Sequence, residues 1–251
     1  MLPMEKHGHR PVALVTGAGR RLGRACALAL ARNGFSVVAH YRRSDRDAAS
    51  LVRGIRATGA DAWPVAADLT RPGAGTRLFA AALRVAGRLD LVVNSASTYD
   101  PSDLANVTRD EIIRDMDLHL VSALEIGRGL AKRARKGQIV NLLDTRIVCA
   151  GAAGHAAYLL SKQSLWNLTR MMAVAFAPRV RVNAIAPGAV LPPRGARPAY
   201  VRKLARANPM GCLGTPDDVV RALLYLIHAP FVTGQVLFVD GGYHLRGDGH
   251  A

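Results

Sequence analysis

The stretch VALVTGAGRRLGRACALALARN, residues 12–33, joins a short apolar segment to a glycine-rich turn and then to an Ala/Leu-rich segment. We interpret Val12 to Thr16 as a strand, and the segment after the turn as a helix that runs to about Asn33. A strand, a glycine-rich turn and a helix N-terminus form the geometry that holds a pyrophosphate. The glycines do not have the G-x-G-x-x-G spacing, so the general dinucleotide fingerprint is met only loosely.

The same alternation of strand and helix continues along the chain. Further strands are predicted at 35–40, 61–67, 89–97, 138–143, 180–185 and 235–239. Helices are predicted at 44–58, from the third strand to 86, and within 103–135 from a start near 108. Two more are predicted, one that contains residue 158 and ends near 176, and one at 217–227. Such alternation is typical of a parallel sheet covered on both faces. We therefore predict an α/β fold, a single doubly wound, Rossmann-like parallel sheet with helices on both faces.

No linker interrupts the alternation, so residues 11–251 are predicted to form one domain after a flexible N-terminal arm, residues 1–10. A Pro/Arg-rich stretch, residues 191–209, breaks the rhythm before the last helix. We interpret residues 189–209 as a loop that would cover a substrate.

Composition restricts the class of protein. No apolar run approaches the length of a membrane span, and no signal-peptide pattern begins the chain. The three cysteines are scattered and have no metal-ligand spacing, so we expect no metal site and a reduced, cytoplasmic protein.

The 34 Lys+Arg against 18 Asp+Glu give a net charge of +16. Such a charge suits anionic small molecules or an acidic protein partner, whereas no nucleic-acid-binding motif is present. The compact basic run at 132–136 is interpreted as a solvated helix end.

Tyr158 and Lys162 lie four residues apart in a predicted helix and so share one face of it. A nearby ammonium favours the phenolate, so we expect Lys162 to lower the pKa of Tyr158. A tyrosine adjusted in this way can transfer a proton near neutral pH. The alternative is an ordinary exposed helical pair.

In a doubly wound sheet, ligands bind outside the carboxyl ends of the strands. The predicted junctions at that edge carry glycines and polar residues. They are Gly17, Gly19, Gly23, Asp68, Asn94, Asp144, Pro187 and Gly188.

Five motifs occur together and in a fixed order: TGAGRRLG, NSA after the fourth strand, Y-x-x-x-K, the Pro-Gly turn and VTGQVLFVDGG. The ordered set resembles the short-chain dehydrogenase/reductase family over nearly the whole chain. The resemblance implies a nicotinamide cofactor, a strand order of 3-2-1-4-5-6-7 and a homotetramer. The helices that hold His119 and Tyr158 would form the tetramer contacts.

Several departures from the family pattern resemble pteridine reductases and bacterial dihydromonapterin reductases. Arg21 stands where the family has a second glycine, and Asp144 stands at the catalytic serine position. The second strand ends in HYRRS, residues 40–44, rather than in an acidic residue. The motif after the fourth strand continues to Tyr99.

The end of the second strand also indicates the cofactor. A carboxylate there would bind the ribose 2′-hydroxyl of NAD, but none occurs before Asp45. His40, Arg42 and Arg43, with the hydroxyl of Ser44, would instead hold the 2′-phosphate of NADP. We predict NADPH, against the alternative of a solvated basic turn. By resemblance, the other cofactor-binding residues are Gly17, Gly19, Arg21, Leu22, Gly23, Asp68, Leu69, Asn94, Ser95, Ala96, Lys162, Pro187 and Gly188.

The catalytic position opposite Tyr158 has two candidates. The family's usual spacing would select Thr145, whereas the strand end N-L-L-D selects Asp144, which we favour. A buried acid beside Tyr158 could have a raised pKa and supply or relay a proton. His119 stands where the family has an asparagine that holds a relay water. It could hold that water or titrate, or it could be a buried histidine with no part in catalysis.

The resemblance implies that Tyr99 stacks a flat pterin against the nicotinamide and that Ser97 lies near it. The first hypothesis is thus an NADPH-dependent reductase that converts a dihydropterin to a tetrahydropterin. A second is a ketone or 3-oxoacyl reductase, whose acidic carrier-protein partner would suit the +16 charge. A third is a non-catalytic NADPH-binding sensor, which would have no need of Tyr158 and Lys162.

Overall fold

The computed structural model describes residues 10–149, 154–192 and 195–246. Seven strands form one sheet in the order β3-β2-β1-β4-β5-β6-β7, and every neighbouring pair is parallel. The strands are β1 (Val12–Val15), β2 (Ser36–Tyr41), β3 (Ala62–Ala66), β4 (Leu91–Asn94), β5 (Gly137–Leu142), β6 (Val180–Pro187) and β7 (Val236–Val239). The doubly wound sheet and its strand order are therefore confirmed. The predicted arm, residues 1–10, lies outside the described residues apart from Arg10.

Helices cover both faces of the sheet. They are α1 (Arg21–Arg32), α2 (Asp45–Arg56), α3 (Ala74–Ala86), α4 (Arg109–Met116), α5 (Ser122–Arg133), α6 (Ala156–Ala175), α7 (Pro198–Arg206) and α8 (Pro216–His228). Alternate strand residues point to opposite faces, so Leu14 packs with α3, α5 and α6, and Val15 with α1, α2 and α8. No helix in the described part of the chain is long and apolar enough to span a membrane.

The segment predicted to be a loop, residues 189–209, contains a helix, so that prediction was wrong. Pro198 stands at the start of α7, where its missing N–H is not needed and its fixed φ suits a helix. None of the residues of α7 is buried. Val201, Leu204 and Ala205 share one half-buried side of this helix, but the prolines and arginines around them hid that short apolar pattern.

The long helix before β5 begins at Thr108, as predicted. The Thr108 Oγ1 accepts the Glu111 N–H at 3.3 Å, and the Glu111 carboxylate accepts the Thr108 N–H at 2.8 Å. This capping box satisfies N–H groups that the first turn cannot use. A π-helical turn, Asp117–Val121, separates α4 from α5 and carries His119. The basic run begins in the last turn of α5, in agreement with a solvated helix end.

Candidate active site

The carboxyl ends of β1 and β4 are joined by Thr16. Its Oγ1 accepts the backbone N–H groups of Ser95 and Ala96, each at 2.9 Å. The backbone of the predicted NSA motif is thus fixed against the end of β1. The Asn94 side chain is used within the protein, because its Nδ2 donates to Asn141 Oδ1 at 2.8 Å. The Asn94 Nδ2 therefore holds β4 against β5, and a contact of Asn94 with the cofactor stays a prediction.

The glycine-rich turn leaves no room for side chains where the sequence has glycine. A Cβ on Gly17, whose φ is +65°, would lie 2.9 Å from the Ala96 Cα, and one on Gly23 would lie 2.3 Å from the Gly17 carbonyl oxygen. A Cβ on Gly19 would lie 2.8 Å from the Ser44 Oγ. The turn therefore packs closely on β4 and opens at the start of α1, as a pyrophosphate site requires. The residues present fit a dinucleotide.

Arg21 is the only non-glycine residue with positive φ among the described residues, at +50°. This conformation favours glycine, which accounts for the glycine that the family has here. Its side chain reaches the segment after β6, where Nη2 donates to the Leu191 carbonyl at 2.8 Å and Nη1 to the Pro192 carbonyl at 3.5 Å. Arg21 therefore links the cofactor turn to the segment expected to cover the substrate. Leu22 packs into the core beside it.

The basic turn after β2 presents Arg42 and Arg43, which are both exposed. The Arg42 Nη1 lies 4.0 Å from the Asp68 Oδ1, and Ser44 lies beside Gly19. Two guanidinium groups and a hydroxyl thus lie next to the glycine-rich turn. They could bind a phosphate on the ribose of a dinucleotide.

His40 does not supply positive charge, so its predicted role is corrected. Its side chain is buried, its Nδ1 accepts the Gly17 N–H at 3.1 Å, and its Nε2 donates to the Ala67 carbonyl at 3.1 Å. Burial lowers the pKa of His40 to about 4. The ring is therefore neutral at pH 7, and it fixes the glycine-rich turn against β2 and β3.

Asp68 and Leu69 lie at the end of β3. The Asp68 Oδ1 accepts the backbone N–H and the hydroxyl of Thr70, at 3.1 and 2.7 Å, and the Leu69 side chain is buried. Asp68 therefore closes its own turn and leaves Oδ2 available.

At the end of β6, a Cβ on Gly188 would lie 2.7 Å from the Asp240 Cβ, so the Pro187–Gly188 turn packs directly on the strand end of β7.

The structure places Asp144, and not Thr145, against Tyr158. The Tyr158 hydroxyl donates to the Asp144 Oδ2 at 3.0 Å. The Thr145 hydroxyl points away and donates to Asp240. The strand register, rather than the residue count, therefore identified the partner of the tyrosine.

Asp144 is held as a carboxylate. Burial by itself would raise the pKa of Asp144, but the hydrogen bonds and the charge of Arg146 outweigh it and hold the pKa below its usual value. The expectation of a raised pKa at Asp144 is thus wrong for the protein without ligands. The reason is the cation of Arg146, which lies two residues after Asp144 and binds its carboxylate.

The expected lowering of the Tyr158 pKa is also not found. Burial, followed by the charge and hydrogen bond of Asp144, raises the pKa of Tyr158 well above its ordinary value. The Lys162 Nζ lies 5.6 Å from the Tyr158 ring centroid and donates to the Leu142 carbonyl at 2.8 Å. Burial lowers the pKa of Lys162 to about 8, against the attraction of Asp144 and Asp115. Lys162 is therefore a buried cation that is close to losing its charge.

His119 is a buried link rather than a titrating group. Its Nδ1 lies 2.7 Å from the Ser161 Oγ, and its Nε2 lies 2.9 Å from the Ser97 Oγ. The Ser161 hydroxyl donates to the Tyr158 carbonyl at 2.6 Å, so we assign the ring proton to Nδ1. Burial and the nearby Lys162 charge lower the pKa of His119 well below its ordinary value. A neutral imidazole therefore connects Ser97 with the helix that carries Tyr158.

An aromatic wall, formed by Tyr99 and His155, borders the site. The two rings are stacked with centroids 3.7 Å apart, and Tyr99 meets Tyr158 edge-on at 5.0 Å. The Tyr99 side chain is 51% exposed, and its hydroxyl accepts a hydrogen bond from the Arg146 Nη1 at 2.7 Å. A half-exposed stack of this kind offers a flat surface to a planar ligand.

Four residues of this arrangement were missed in the sequence, namely Thr16, Arg146, His155 and Ser161. Ser161 could have been found, because it lies between Tyr158 and Lys162 and three residues after the tyrosine in a helix. Arg146 follows Asp144 by two residues, a spacing at which an aspartate often binds the backbone of its own turn. Thr16 and His155 had no comparable signal.

The chain is similar to known reductases and oxidoreductases over most of its length. A family model described as Enoyl-(Acyl carrier protein) reductase matches residues 17–244. A hydroxynaphthalene reductase-like protein, Arp2, of Metarhizium robertsii is 34% identical over 251 residues, 92% of this chain and 94% of the relative. An uncharacterized oxidoreductase of Mycobacterium tuberculosis is 35% identical over 242 residues, 92% of this chain and 91% of the relative.

Among solved structures, FolM alternative dihydrofolate reductase 1 from Brucella canis, complexed with NADP, superposes with a TM-score of 0.86. It is 32% identical, with 94% of each chain covered. The same protein from Brucella suis, also in complex with NADP, has a TM-score of 0.88 and 33% identity, with 94% of this chain and 96% of that chain covered.

Proposed function

Since the chain belongs to the short-chain dehydrogenase/reductase family, we propose that it is an NADPH-dependent reductase of a pterin-like heterocycle. The single observation that carries the proposal is the Tyr158–Asp144 hydrogen bond at 3.0 Å. It places a protonated phenol and a carboxylate, rather than a phenol and a hydroxyl, at the rim beside the glycine-rich turn.

The residues of the turn would hold the cofactor. The close packing of Gly17 and Gly23 shapes a pyrophosphate site, and Arg42, Arg43 and Ser44 would bind a 2′-phosphate. Structures similar to this chain contain NADP. Lys162 would bind the ribose hydroxyls of the nicotinamide. When bound, NADPH would supply the hydride for the reduction.

The chain itself would manage the proton. Tyr158 holds it on its hydroxyl, because burial and the Asp144 charge raise the pKa of that group. When an acceptor nitrogen or oxygen gains negative charge, Tyr158 can donate to it. The Lys162 ammonium would then stabilise the phenolate that forms. Asp144 accepts from Tyr158 and keeps the hydroxyl at the rim.

A flat substrate is supported by the aromatic wall. Tyr99 and His155 present a stacked surface next to the Tyr158 hydroxyl, and the similar Brucella structures are of a dihydrofolate reductase. Planar rings stack well on such a surface. Ser97, which is exposed and bonded to His119, would lie at the same edge.

A second candidate is a ketone or 3-oxoacyl thioester reductase. The family model's description names an acyl-carrier-protein substrate, and Arp2 is named as similar to a hydroxynaphthalene reductase. The net charge of +16 would suit an acidic carrier protein. Asp144 in place of the serine of the family argues against it.

The test is NADPH oxidation by the purified chain with dihydrobiopterin, dihydromonapterin, acetoacetyl thioesters and simple diketones. We expect turnover with a dihydropterin and a lower rate with NADH. Turnover only with thioesters or diketones would reject the pterin reductase. No turnover with any of them, together with measurable NADPH binding, would indicate the non-catalytic sensor.

We also propose that the chain is a cytoplasmic homotetramer that uses α4, α5 and α6 as contacts. The support is a set of apolar side chains on the outer face of α6, where Leu160, Met171 and Val174 are 39%, 68% and 82% exposed. Large exposed apolar residues on one helix face are typical of an interface. Light scattering coupled to gel filtration should give a tetramer, and Val174→Asp should give smaller species. A monomeric wild-type chain would reject the assembly.

A further inference from the structure

Arg146 lies in a short 3-10 turn, Thr145–Val148, directly after the strand end that carries Asp144. Its Nε donates to the Asp144 Oδ1 and its Nη2 to Oδ2, each at 2.9 Å. Its backbone N–H also donates to Oδ1 at 2.9 Å. A planar fork that binds both carboxylate oxygens fixes the orientation of the carboxylate as well as its charge.

The same guanidinium contacts the aromatic wall. Its Nη1 donates to the Tyr99 hydroxyl at 2.7 Å. Its Cζ lies 5.0 Å from the Tyr99 ring centroid and 5.9 Å from that of Tyr158. One side chain therefore contacts the carboxylate, the wall and the face of the tyrosine that would deliver the proton.

We infer that Arg146 is a positioning residue that keeps the Asp144 carboxylate ionised and in a fixed orientation. The proton between Asp144 and Tyr158 then stays on Tyr158. This inference rests on the proposed role of Tyr158. An ionised carboxylate can only accept hydrogen bonds. A protonated Asp144 could instead donate to the phenol oxygen, and the Tyr158 hydroxyl would then be free to turn away from the rim.

Several other charged or titratable groups face this pair and would remain in an Arg146 variant. Lys162 and Tyr158 approach Asp144 from α6, and Tyr99 approaches Arg146 from the segment after β4. Asp115 and His119, on α4 and the π-helical turn, lie next to Lys162. Asp240 and His244 lie behind Thr145. Because the Lys162 cation remains, removal of Arg146 should shift the titration of Asp144 rather than prevent ionisation.

The primary experiment needs no substrate. Chains labelled with ¹³Cγ-aspartate are titrated by NMR, and Asp144→Asn identifies the Asp144 resonance. In Arg146→Gln we expect the Asp144 midpoint to rise by about 1–3 pH units, the size of the effect of an arginine on a neighbouring aspartate. Arg146→Lys keeps a cation without the fork and should give a smaller rise. Arg128→Gln, at an exposed position on α5, is the matched control and should give none.

The kinetic experiment separates positioning from mere support of the fold. The acid limb of kcat against pH should move upward in Arg146→Gln by the same shift as the carboxyl titration. In the Asp144→Asn background, Arg146→Gln should cause no further shift of that limb.

An unchanged Asp144 titration in Arg146→Gln and Arg146→Lys would overturn the inference. A shifted titration with an unmoved acid limb would also overturn it, because Arg146 would then serve only the fold. Failure of the proposed function would give a different result, namely no turnover of a dihydropterin by the unaltered chain. The carboxyl titration reports on Arg146 in either case.

Discussion

At the scale of single residues, the pKa values of Tyr158 and Lys162 differ from those expected for a tyrosine activated by a neighbouring lysine. The raised pKa of Tyr158 keeps its proton in place throughout neutral pH. Of the two, Lys162, with a pKa of about 8, titrates nearer to physiological pH. A loss of activity above pH 8 in the free enzyme would therefore come from Lys162 and not from Tyr158.

Tyr158→Phe tests the proton donor. Loss of a positioned acid–base group should lower turnover roughly 10²–10⁴-fold, because no other hydroxyl occupies the place of the tyrosine hydroxyl. NADPH oxidation in the steady state gives the rate. Tyr225→Phe, at a 56% exposed position on α8, is the control and should keep the normal rate. A Tyr158→Phe enzyme of near-normal rate would exclude Tyr158 as the donor.

Lys162→Met tests the cost of burying the ammonium. Because the folded-state pKa is lowered from 10.5 to about 8, the folded chain disfavours the charged lysine. This penalty is complete below pH 8 and disappears as the pH rises to the unfolded-state value. Lys162→Met should thus raise the free energy of unfolding at pH 7 by about 1–3 kcal/mol, after loss of the bond to Leu142, while it abolishes turnover.

Chemical denaturation of the cofactor-free chain at pH 7 and pH 10.5 measures this effect. The advantage of the variant should shrink at the higher pH, because the wild-type chain gains stability through that interval. A variant that is less stable than the wild type at pH 7 would show that the buried lysine is well compensated.

Arg43→Ala tests the choice of cofactor. A lost charge-assisted hydrogen bond to a 2′-phosphate should weaken NADPH binding by roughly 1.5–3 kcal/mol and leave NADH binding nearly unchanged. Fluorescence titration with both cofactors measures this. Arg46→Ala, an exposed arginine in the first turn of α2, controls for the general loss of positive charge. Equal losses for both cofactors would contradict the assignment.

At the scale of elements, the Thr108 capping box fixes the start of α4 and hence the course of the chain toward His119. Thr108→Ala should lower the free energy of unfolding by about 1 kcal/mol, because the first turn loses a side-chain acceptor. For a chain of this size that corresponds to a fall of roughly 2–4 °C in Tm. Thr108→Ser keeps the hydroxyl and should stay close to the wild type. A Thr108→Ala chain of unchanged Tm would show that α4 is held by packing alone.

The elements differed in how far the sequence could predict them. Strands and core helices were predictable, because their apolar residues repeat with the periods of strand and helix. The helix α7 was not, because prolines and arginines surround its short apolar pattern. The π-helical turn around His119 was also not predictable, because a change in hydrogen-bond pattern leaves no mark on hydrophobic periodicity.

The site was predictable in its members but less so in its electrostatics. Tyr158, Lys162 and Asp144 lie close together, as expected from the motif and the strand register. The charge states depend on contacts that spacing does not show. Arg146 reverses the expected shift of the Asp144 pKa, and the burial of His40 between Gly17 and Ala67 removes its charge.

At the scale of the whole molecule, the net charge of +16 should assist the approach of an anionic cofactor. A positive field raises association rates by about 10–10³-fold at low salt, and salt screens it. The kcat/KM for NADPH should therefore fall about tenfold between 20 and 500 mM NaCl. The KM of a neutral substrate should change much less. A kcat/KM for NADPH that does not vary with salt would contradict this expectation.

The bonds of Arg21 to Leu191 and Pro192 join two regions that are 170 residues apart in the chain. The glycine-rich turn and the segment after β6 are therefore linked by hydrogen bonds. Outward movement of that segment must break the same bonds that fix the Arg21 side chain. The residence time of a product and the exchange of spent dinucleotide would consequently be coupled, and a substitution on the cofactor side could change how long the product stays bound.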